Sequence, residues 1–176
     1  MFCEFYPCAY AKDVFSIDYQ ALFDNGYRGI LFDVDNTLVH HNEDTTPAVD
    51  ALLEKIAAIG HKTILVSNNS AQRLSRFTQS NGVPFVSDAN KPEPEAYEQA
   101  VQRLGISKAQ ALVIGDQMFV DIHGANRAGL DSILVHYIVK NPRAWIGFRR
   151  YIEKFVLLIF AVRRSRHTLD YAIKKR

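Results

Sequence analysis

Apolar residues along this chain follow two spacings, one typical of buried strands and one typical of amphipathic helices. Five short, mainly apolar runs predict strands, at residues 29–32, 62–66, 85–86, 111–114 and 132–135. Between these runs, apolar residues recur every three or four positions, as Leu52, Leu53 and Ile56 do, which predicts helices. Proline and glycine mark the helix ends, with Pro47 opening the first helix and Gly60 closing it.

Four helices are predicted to join these strands: residues 47–59, a segment through Leu74 and Phe77 to Asn81-Gly82, a segment from about Pro92 and Pro94 to Leu104, and residues 119–128. Strands joined by helices of this length need right-handed crossovers and form a parallel sheet with both faces covered. We therefore expect an α/β fold, a doubly wound, Rossmann-like sheet of five parallel strands. Residues 1–26 precede the first strand as an irregular lead-in.

Length and charge indicate how the chain is organised. With 176 residues and 48% apolar content, it can bury one core of ordinary size but not two. Residues 1–139 carry 10 Lys and Arg against 17 Asp and Glu, whereas residues 140–176 carry 11 against 2, so a net charge of −7 is followed by one of +9. We therefore expect one domain over residues 1–140 and a basic tail over residues 141–176.

The tail combines aromatic and aliphatic residues with flanking cations, as in Trp145 and Phe148 followed by Arg149 and Arg150. This pattern predicts helices that either lie on an anionic membrane surface or pack on the domain or on a second subunit. Nucleic acid is a less favoured partner. The longest wholly apolar run, residues 155–162, is far below the ~20 residues that span a bilayer.

The two cysteines, Cys3 and Cys8, have no His or Cys partner at a zinc-binding spacing, so we expect reduced thiols. The first residues lack a basic stretch followed by an apolar one, so no secretory signal is expected. These features predict a cytoplasmic protein, with peripheral contact at the inner face of the membrane if the tail binds lipid.

Two carboxylates, Asp33 and Asp35, directly follow the first predicted strand. Anions held this close repel each other unless a cation or a shared proton separates them, so the pair favours a metal site. The alternative is a turn in which the aspartates cap exposed backbone N–H groups.

Polar residues also follow the other predicted strands: Ser67, Asn68, Lys91, Gly115, Asp116 and Asp121. Each has an ordinary structural explanation, such as a helix cap for Ser67 or a surface lysine for Lys91. The carboxyl ends of the strands in an open parallel sheet border the ligand crevice, however, so the whole set predicts a single site.

In their order along the chain, these residues resemble the four motifs of the haloacid dehalogenase (HAD) superfamily of phosphatases. The matching segments are Asp33-Val34-Asp35-Asn36-Thr37, Ser67 after an apolar strand, Lys91-Pro92, and Gly115-Asp116 with Asp121. The resemblance covers about residues 20–136. Its finer pattern is similar to the YqeG-type subfamily, which includes phosphatidylglycerophosphate phosphatases.

The resemblance implies a role for each residue. Asp33 is the expected nucleophile that forms an aspartyl-phosphate, and Asp35 is the expected acid and base. Ser67 and Lys91 complete the catalytic set and, with Asn68, are expected to bind the phosphoryl group. The implied cofactor is Mg²⁺, with expected ligands Asp33, Asp35 through its backbone carbonyl, Asp116, and Asp121 as a ligand or a support. Thr37 is expected to support the loop.

The spacing between the motifs leaves no room for a lid domain, since residues 38–46 are only nine and residues 70–90 are filled by one helix and a short strand. An open site favours a bulky substrate such as a lipid head group. His40 and His41 are expected at its edge, where they either contact substrate or are exposed loop residues.

Four functions remain open, and the last of them, a basic adaptor for nucleic acid, is favoured only by the tail. The first is a Mg²⁺-dependent phosphatase of a lipid phosphate such as phosphatidylglycerophosphate, and the second is a phosphatase of a soluble ester such as a nucleotide or sugar phosphate. The third is a phospho-accepting regulatory or binding module. Asp35 argues against the third, because a domain that must stay phosphorylated has no use for an acid and base beside its phosphoryl group. The oligomeric state stays open.

Overall fold

The computed structural model describes residues 3–138 and 168–173. Its strands are β1 (Ala9–Ala11), β2 (Gly29–Phe32), β3 (Lys62–Val66), β4 (Phe85–Val86), β5 (Ala111–Gly115) and β6 (Asp131–Val135). Its α-helices are α1 (Tyr19–Asp24), α2 (Pro47–Ile59), α3 (Ala71–Phe77), α4 (Glu95–Leu104) and α5 (His123–Ala128). The predicted tail helices fall mostly on residues 139–167, which lie outside the described residues.

The strands form one parallel sheet in the order β1-β6-β5-β2-β3-β4. The predicted α/β, doubly wound class is confirmed, but the sheet has six strands rather than five. The additional strand, β1, pairs with β6 through Ala9 opposite Ile133 and Ala11 opposite Val135. Three residues, two of them alanine, carry too little apolar signal to predict a strand, so β1 exists through its tertiary pairing with β6.

Successive residues of the central strand β2 pack into different cores on the two faces of the sheet. Ile30 and Phe32 join the core that contains residues of α1, α2 and α3, whereas Leu31 joins the core that contains residues of α4 and α5. A strand that is covered by helices on both faces of the sheet has to be apolar throughout. This is why the continuous apolar runs in the sequence located these strands correctly.

Two helices differ from the prediction at their ends. α3 stops at Phe77, before the predicted Asn81-Gly82 pair, because the chain leaves the α-helical conformation at Thr78. The Thr78 hydroxyl donates to the Leu74 carbonyl at 3.0 Å and holds this turn. The segment predicted as a helix from Phe119 instead opens with a wide π-helical turn, Met118–Ile122, before α5 begins.

The described end of the tail, residues 168–173, packs on the domain. Leu169 and Ala172 are buried in the same core as α1. The Asp18 N–H donates to the Ala172 carbonyl at 2.6 Å, and the Leu169 N–H donates to the Cys8 carbonyl at 3.3 Å. Cys8 itself carries a free thiol. Among the described residues, none of the helices has the length and apolar content that crossing a bilayer requires.

Candidate active site

The candidate site lies where the carboxyl ends of β2 and β5 meet. The chain runs from β2 outward to β3 and β4, then returns to β5 on the other side of β2. This reversal opens a crevice beyond the strand ends, the usual ligand position in an open α/β sheet. Asp33 follows β2 and Asp116 follows β5, so the strand order brings two aspartates together that are far apart in the sequence.

Three buried carboxylates, Asp33, Asp116 and Asp121, form what we call the acidic cluster. Each offers a carboxylate oxygen, and these oxygens lie within 4.8 Å of one another. The Thr37 hydroxyl lies 3.0 Å from Asp33 Oδ2 and 3.4 Å from Asp116 Oδ1. Thr37 therefore contacts the cluster itself, which is a closer association with the site than the loop support expected from the sequence.

Lys91 bridges two members of this cluster, Asp33 and Asp121. Its Nζ lies 2.6 Å from Asp33 Oδ1 and 2.7 Å from Asp121 Oδ1, and only 3% of its side chain is exposed. Burial by itself would lower the pKa of the ammonium, but the two carboxylates outweigh it and hold that pKa well above its usual range. Lys91 is therefore a permanent positive charge in the site.

The acidic cluster has more negative charge than Lys91 can balance. Burial, with a further contribution from Asp121, raises the pKa of Asp33 to about 6, although Lys91 and Thr37 act in the opposite direction. Lys91 is shared by two buried carboxylates, Asp33 and Asp121, and this imbalance of charge in a buried place is one that a divalent cation relieves. Carboxylate oxygens at this spacing are the ligands that Mg²⁺ prefers, so the residues fit the expected cofactor.

Backbone geometry holds Asp121 against the cluster. The π-helical turn brings the Gln117 N–H to 3.0 Å from Asp121 Oδ2. At Gly115 there is room for this carboxylate only because the residue has no side chain, since a Cβ there would lie 2.5 Å from both Cβ and Cγ of Asp121. Glycine at the end of β5 is thus a requirement of the site.

Asp35 lies beside the acidic cluster and has its own partners. Its Oδ1 accepts the Asn42 N–H at 3.0 Å, and its Oδ2 accepts the side-chain amide of Asn69 at 2.8 Å. His41 Nδ1 is 3.3 Å from the same Oδ2. The Asp35 carboxylate is therefore not part of the acidic cluster. Its predicted role as acid and base, like its predicted backbone contact with the metal, stays a prediction.

Ser67 and Asn68 follow β3 at the same edge. Ser67 is buried, and its Oγ accepts the Asn69 backbone N–H at 3.2 Å. Asn68 Oδ1 accepts the Lys91 backbone N–H at 2.8 Å, so Asn68 ties the turn after β3 to the loop that carries Lys91. The predicted contacts of these residues with a phosphoryl group stay predictions.

A cleft of about 190 Å³ opens beside the cluster. Its lining residues are Asp33, Asp35, Asn36, His41, Ser67, Asn68, Asn69, Lys91, Gln117 and Val120. His41 therefore lies at the cleft and has an exposed side chain, whereas His40 is not among the lining residues.

Sequence reasoning assigned no role to Asn69 or Gln117, although Asn69 contacts Asp35 and the Gln117 N–H contacts Asp121. The polar turn that contains Asn69 was visible in the sequence. Nothing in its spacing, however, shows that this amide reaches Asp35 on a different loop.

Comparison with known proteins yields matches over most of the chain. A family described as HAD-hydrolase-like matches residues 88–144. The protein called probable phosphatase YqeG from Bacillus subtilis (strain 168) is 34% identical over 164 residues, which cover 93% of this chain and 94% of the relative.

A more distant relative is phosphatidylglycerophosphate phosphatase 1, chloroplastic, from Chlamydomonas reinhardtii. It is 25% identical, and the match covers 85% of this chain but only 60% of that longer protein. Among solved structures, NagD from E. coli K-12 is similar with a TM-score of 0.53 at 14% identity, covering 69% of this chain and 94% of NagD. At that identity the likeness concerns the fold alone.

Proposed function

The chain belongs to the HAD superfamily of phosphatases, and within that family we propose that it is a Mg²⁺-dependent phosphomonoesterase acting on a lipid phosphate such as phosphatidylglycerophosphate. The observation that carries this proposal is the acidic cluster, in which Lys91 bridges Asp33 and Asp121, beside one open cleft that Asp33, Asp35 and Lys91 line. A nucleophile, a cation, an acid and base, and an excess of buried negative charge are what phosphoryl transfer through a carboxylate requires.

In the proposed reaction, an Asp33 oxygen attacks phosphorus and the bond from phosphorus to the alcohol oxygen breaks. Asp35 gives its proton to the departing alcohol oxygen and later takes a proton from the water that hydrolyses the aspartyl-phosphate. Ser67 and the Lys91 charge hold the phosphoryl oxygens in place. When bound, Mg²⁺ supplies positive charge to the phosphoryl oxygens and to the acidic cluster.

The open cleft supports a bulky substrate. In the described part of the chain, residues 38–46 form a short loop, and residues 70–90 hold only α3, β4 and their connections. A cleft of about 190 Å³ has room for a phosphoryl group and its contacts, while the remainder of a lipid would stay outside it. The Chlamydomonas relative, which is named for this lipid activity, supports the same substrate class.

The start of the tail supports membrane contact near the site. Ile138, the last described residue before the basic stretch, donates its N–H to the Asn36 carbonyl at 2.9 Å. Asn36 lies between Asp35 and Thr37 in the loop that follows β2, and it lines the cleft. A basic, aromatic-rich segment tethered here is suited to hold the open cleft against an anionic bilayer.

The substrate proposal is tested by assaying phosphate release from phosphatidylglycerophosphate in mixed micelles, p-nitrophenyl phosphate, and soluble nucleotide and sugar phosphates. Each assay is run with Mg²⁺ and with EDTA, and the Asp33→Asn variant is the control. We expect Mg²⁺-dependent turnover that is fastest on the lipid and absent in Asp33→Asn. Faster turnover of a soluble ester would support the second function, and a stable phosphoprotein without turnover would support a regulatory module.

Membrane contact is tested by sedimentation with anionic vesicles. Charge reversal is preferable to truncation here, because residues 168–173 contribute to the core. The variant Arg163→Glu, Arg164→Glu, Arg166→Glu is expected to lose vesicle binding. A matched variant reversing Lys12, Lys55 and Lys108, which are exposed elsewhere, should keep it. Equal binding by both variants would contradict the proposal.

A further inference from the structure

We propose that Asn69 is a positioning residue that orients the Ser67 hydroxyl and the Asp35 carboxylate together for phosphoryl transfer. The inference rests on the proposed function, since it concerns two residues assigned there to the reaction. Nothing in the HAD motifs of the sequence analysis gives Asn69 this role, and its evidence is the hydrogen bonding of its side chain.

The two hydrogens of the Asn69 amide go to two different functional residues. Nδ2 lies 2.8 Å from Asp35 Oδ2 and 3.0 Å from Ser67 Oγ. A primary amide nitrogen carries two hydrogens, so both are used by these contacts. Asn69 is thereby the direct link between the residue expected to bind the phosphoryl group and the residue expected to transfer the proton.

At Ser67, the contacts with Asn69 determine that the hydroxyl acts as a hydrogen-bond donor toward the substrate. Its Oγ accepts two hydrogen bonds from Asn69, one from the amide at 3.0 Å and one from the backbone N–H at 3.2 Å. A hydroxyl oxygen has two acceptor sites and one hydrogen, so its acceptor sites are filled and the hydrogen is left to donate. A donor pre-set in this way suits an anionic phosphoryl oxygen.

At Asp35, the consequence concerns the position of the carboxylate. The Asn69 amide bonds to Oδ2, while the Asn42 backbone N–H bonds to Oδ1 at 3.0 Å. Two donors from separate loops, one on each oxygen, fix the rotation of the carboxylate as well as its place. Without Asn69 the Oδ2 side is left to the exposed His41, which lies 3.3 Å away.

The backbone of Asn69 is itself held in place. Its carbonyl accepts the Asp88 N–H at 2.9 Å, and the neighbouring Ser67 carbonyl accepts the Ala89 N–H at 3.1 Å. Both donors belong to the loop after β4. Asn69 is therefore anchored before substrate arrives, as efficient positioning of reacting groups requires.

The test compares two substrates that differ in their need for an acid. An alkyl phosphate, such as phosphatidylglycerophosphate in micelles or glycerol phosphate, needs its departing oxygen protonated, whereas p-nitrophenyl phosphate releases a stable phenolate. A residue that positions Asp35 should therefore matter more for the alkyl ester. We expect Asn69→Ala to lower kcat/KM about 10–100-fold on the alkyl ester, the usual effect of removing a hydrogen-bonding partner of a catalytic group. The loss on the aryl ester should be smaller, because only the part that acts through Ser67 is common to both substrates.

Asn69→Asp keeps the size of the side chain but replaces both donors with acceptors, so it should show the same substrate dependence with a larger loss. Asn25→Ala, which removes an exposed amide directly after α1, is the matched control. Thermal melting verifies that each variant is folded. In the Asp35→Asn background, Asn69→Ala should cause a smaller further loss on the alkyl ester than it causes in the wild type, because only the part that acts through Ser67 remains.

Two results would overturn this inference alone: equal losses on both esters in folded Asn69 variants, or undiminished kcat/KM on the alkyl ester. An inactive wild-type protein would overturn the proposed function, and this inference with it. The two failures are thus distinguished by the activity of the wild type.

Discussion

Replacing Lys91 with methionine removes the buried positive charge from the acidic cluster while keeping a side chain of similar length. In the wild type, Lys91 Nζ makes two buried ion pairs, at 2.6 Å to Asp33 and 2.7 Å to Asp121. The substitution removes the buried ammonium from both Asp33 and Asp121 in the metal-free protein. We expect a large loss of stability as well as of activity.

The magnitude follows from these contacts. Removing one partner of a buried ion pair costs about 3–5 kcal/mol of unfolding free energy, because the remaining charge stays buried and unpaired. For a domain of this size each kcal/mol lowers Tm by about 2–4 °C, so Lys91→Met should melt roughly 6–20 °C below the wild type at pH 8 in EDTA. The deficit should shrink when Mg²⁺ is added, because a bound cation replaces the missing charge.

The deficit should also depend on pH. The pKa of Asp33 is about 6 in the folded protein, against an ordinary value of 3.8, and losing Lys91 raises it further. A carboxyl group with a raised pKa holds an extra proton in the folded state, so its contribution to stability falls as the pH rises through that window. The Tm of Lys91→Met should therefore approach that of the wild type near pH 4, and the full deficit in Tm should appear well above pH 6.

A surface lysine provides the matched control. Lys108 Nζ lies 2.7 Å from Glu98 Oε1, a similar distance, but half of each side chain is exposed. Lys108→Met should cost less than about 1 kcal/mol, since exposed pairs contribute little. If Lys91→Met melts within the range of this control at pH 8 without metal, Lys91 is not the counter-ion of the cluster and the reasoning is refuted.

Two further predictions concern a glycine and a buried histidine. Gly115→Ala should displace Asp121, which a Cβ would meet at 2.5 Å, and weaken activation by Mg²⁺ about 10–100-fold; an unchanged Mg²⁺ titration of activity would contradict this. His61 is buried with its Nε2 2.8 Å from the Tyr19 carbonyl, and burial lowers the pKa of its ring. The folded state therefore disfavours protonation of the His61 ring, so this residue lowers the free energy of unfolding of the wild type as the pH falls below about 6.5. His61→Leu should remove that loss. In urea unfolding, the difference between the unfolding free energies at pH 7.5 and pH 5 should be smaller for this variant than for the wild type.

Local sequence patterns were sufficient for most of the fold. The runs that became β2 and β5 were visible because both strands are buried along their whole length, and a strand buried on both faces is apolar throughout. The ends of α2 were visible because proline and a left-handed glycine mark them. β1 was not visible, since its three residues depend on pairing with β6 from the other end of the domain.

The sequence by itself also determined which residue types stand at the carboxyl ends of the strands, and in what order, and this was enough to indicate the family. Only the tertiary structure decided how they group: Asp33 lies with Asp116 and Asp121, Lys91 bridges Asp33 and Asp121, and Asp35 lies apart with Asn69. The reason is physical. Periodicity reports what one element presents to its neighbours, whereas distances between loops depend on strand order and register, which place residues remote along the chain within hydrogen-bonding reach.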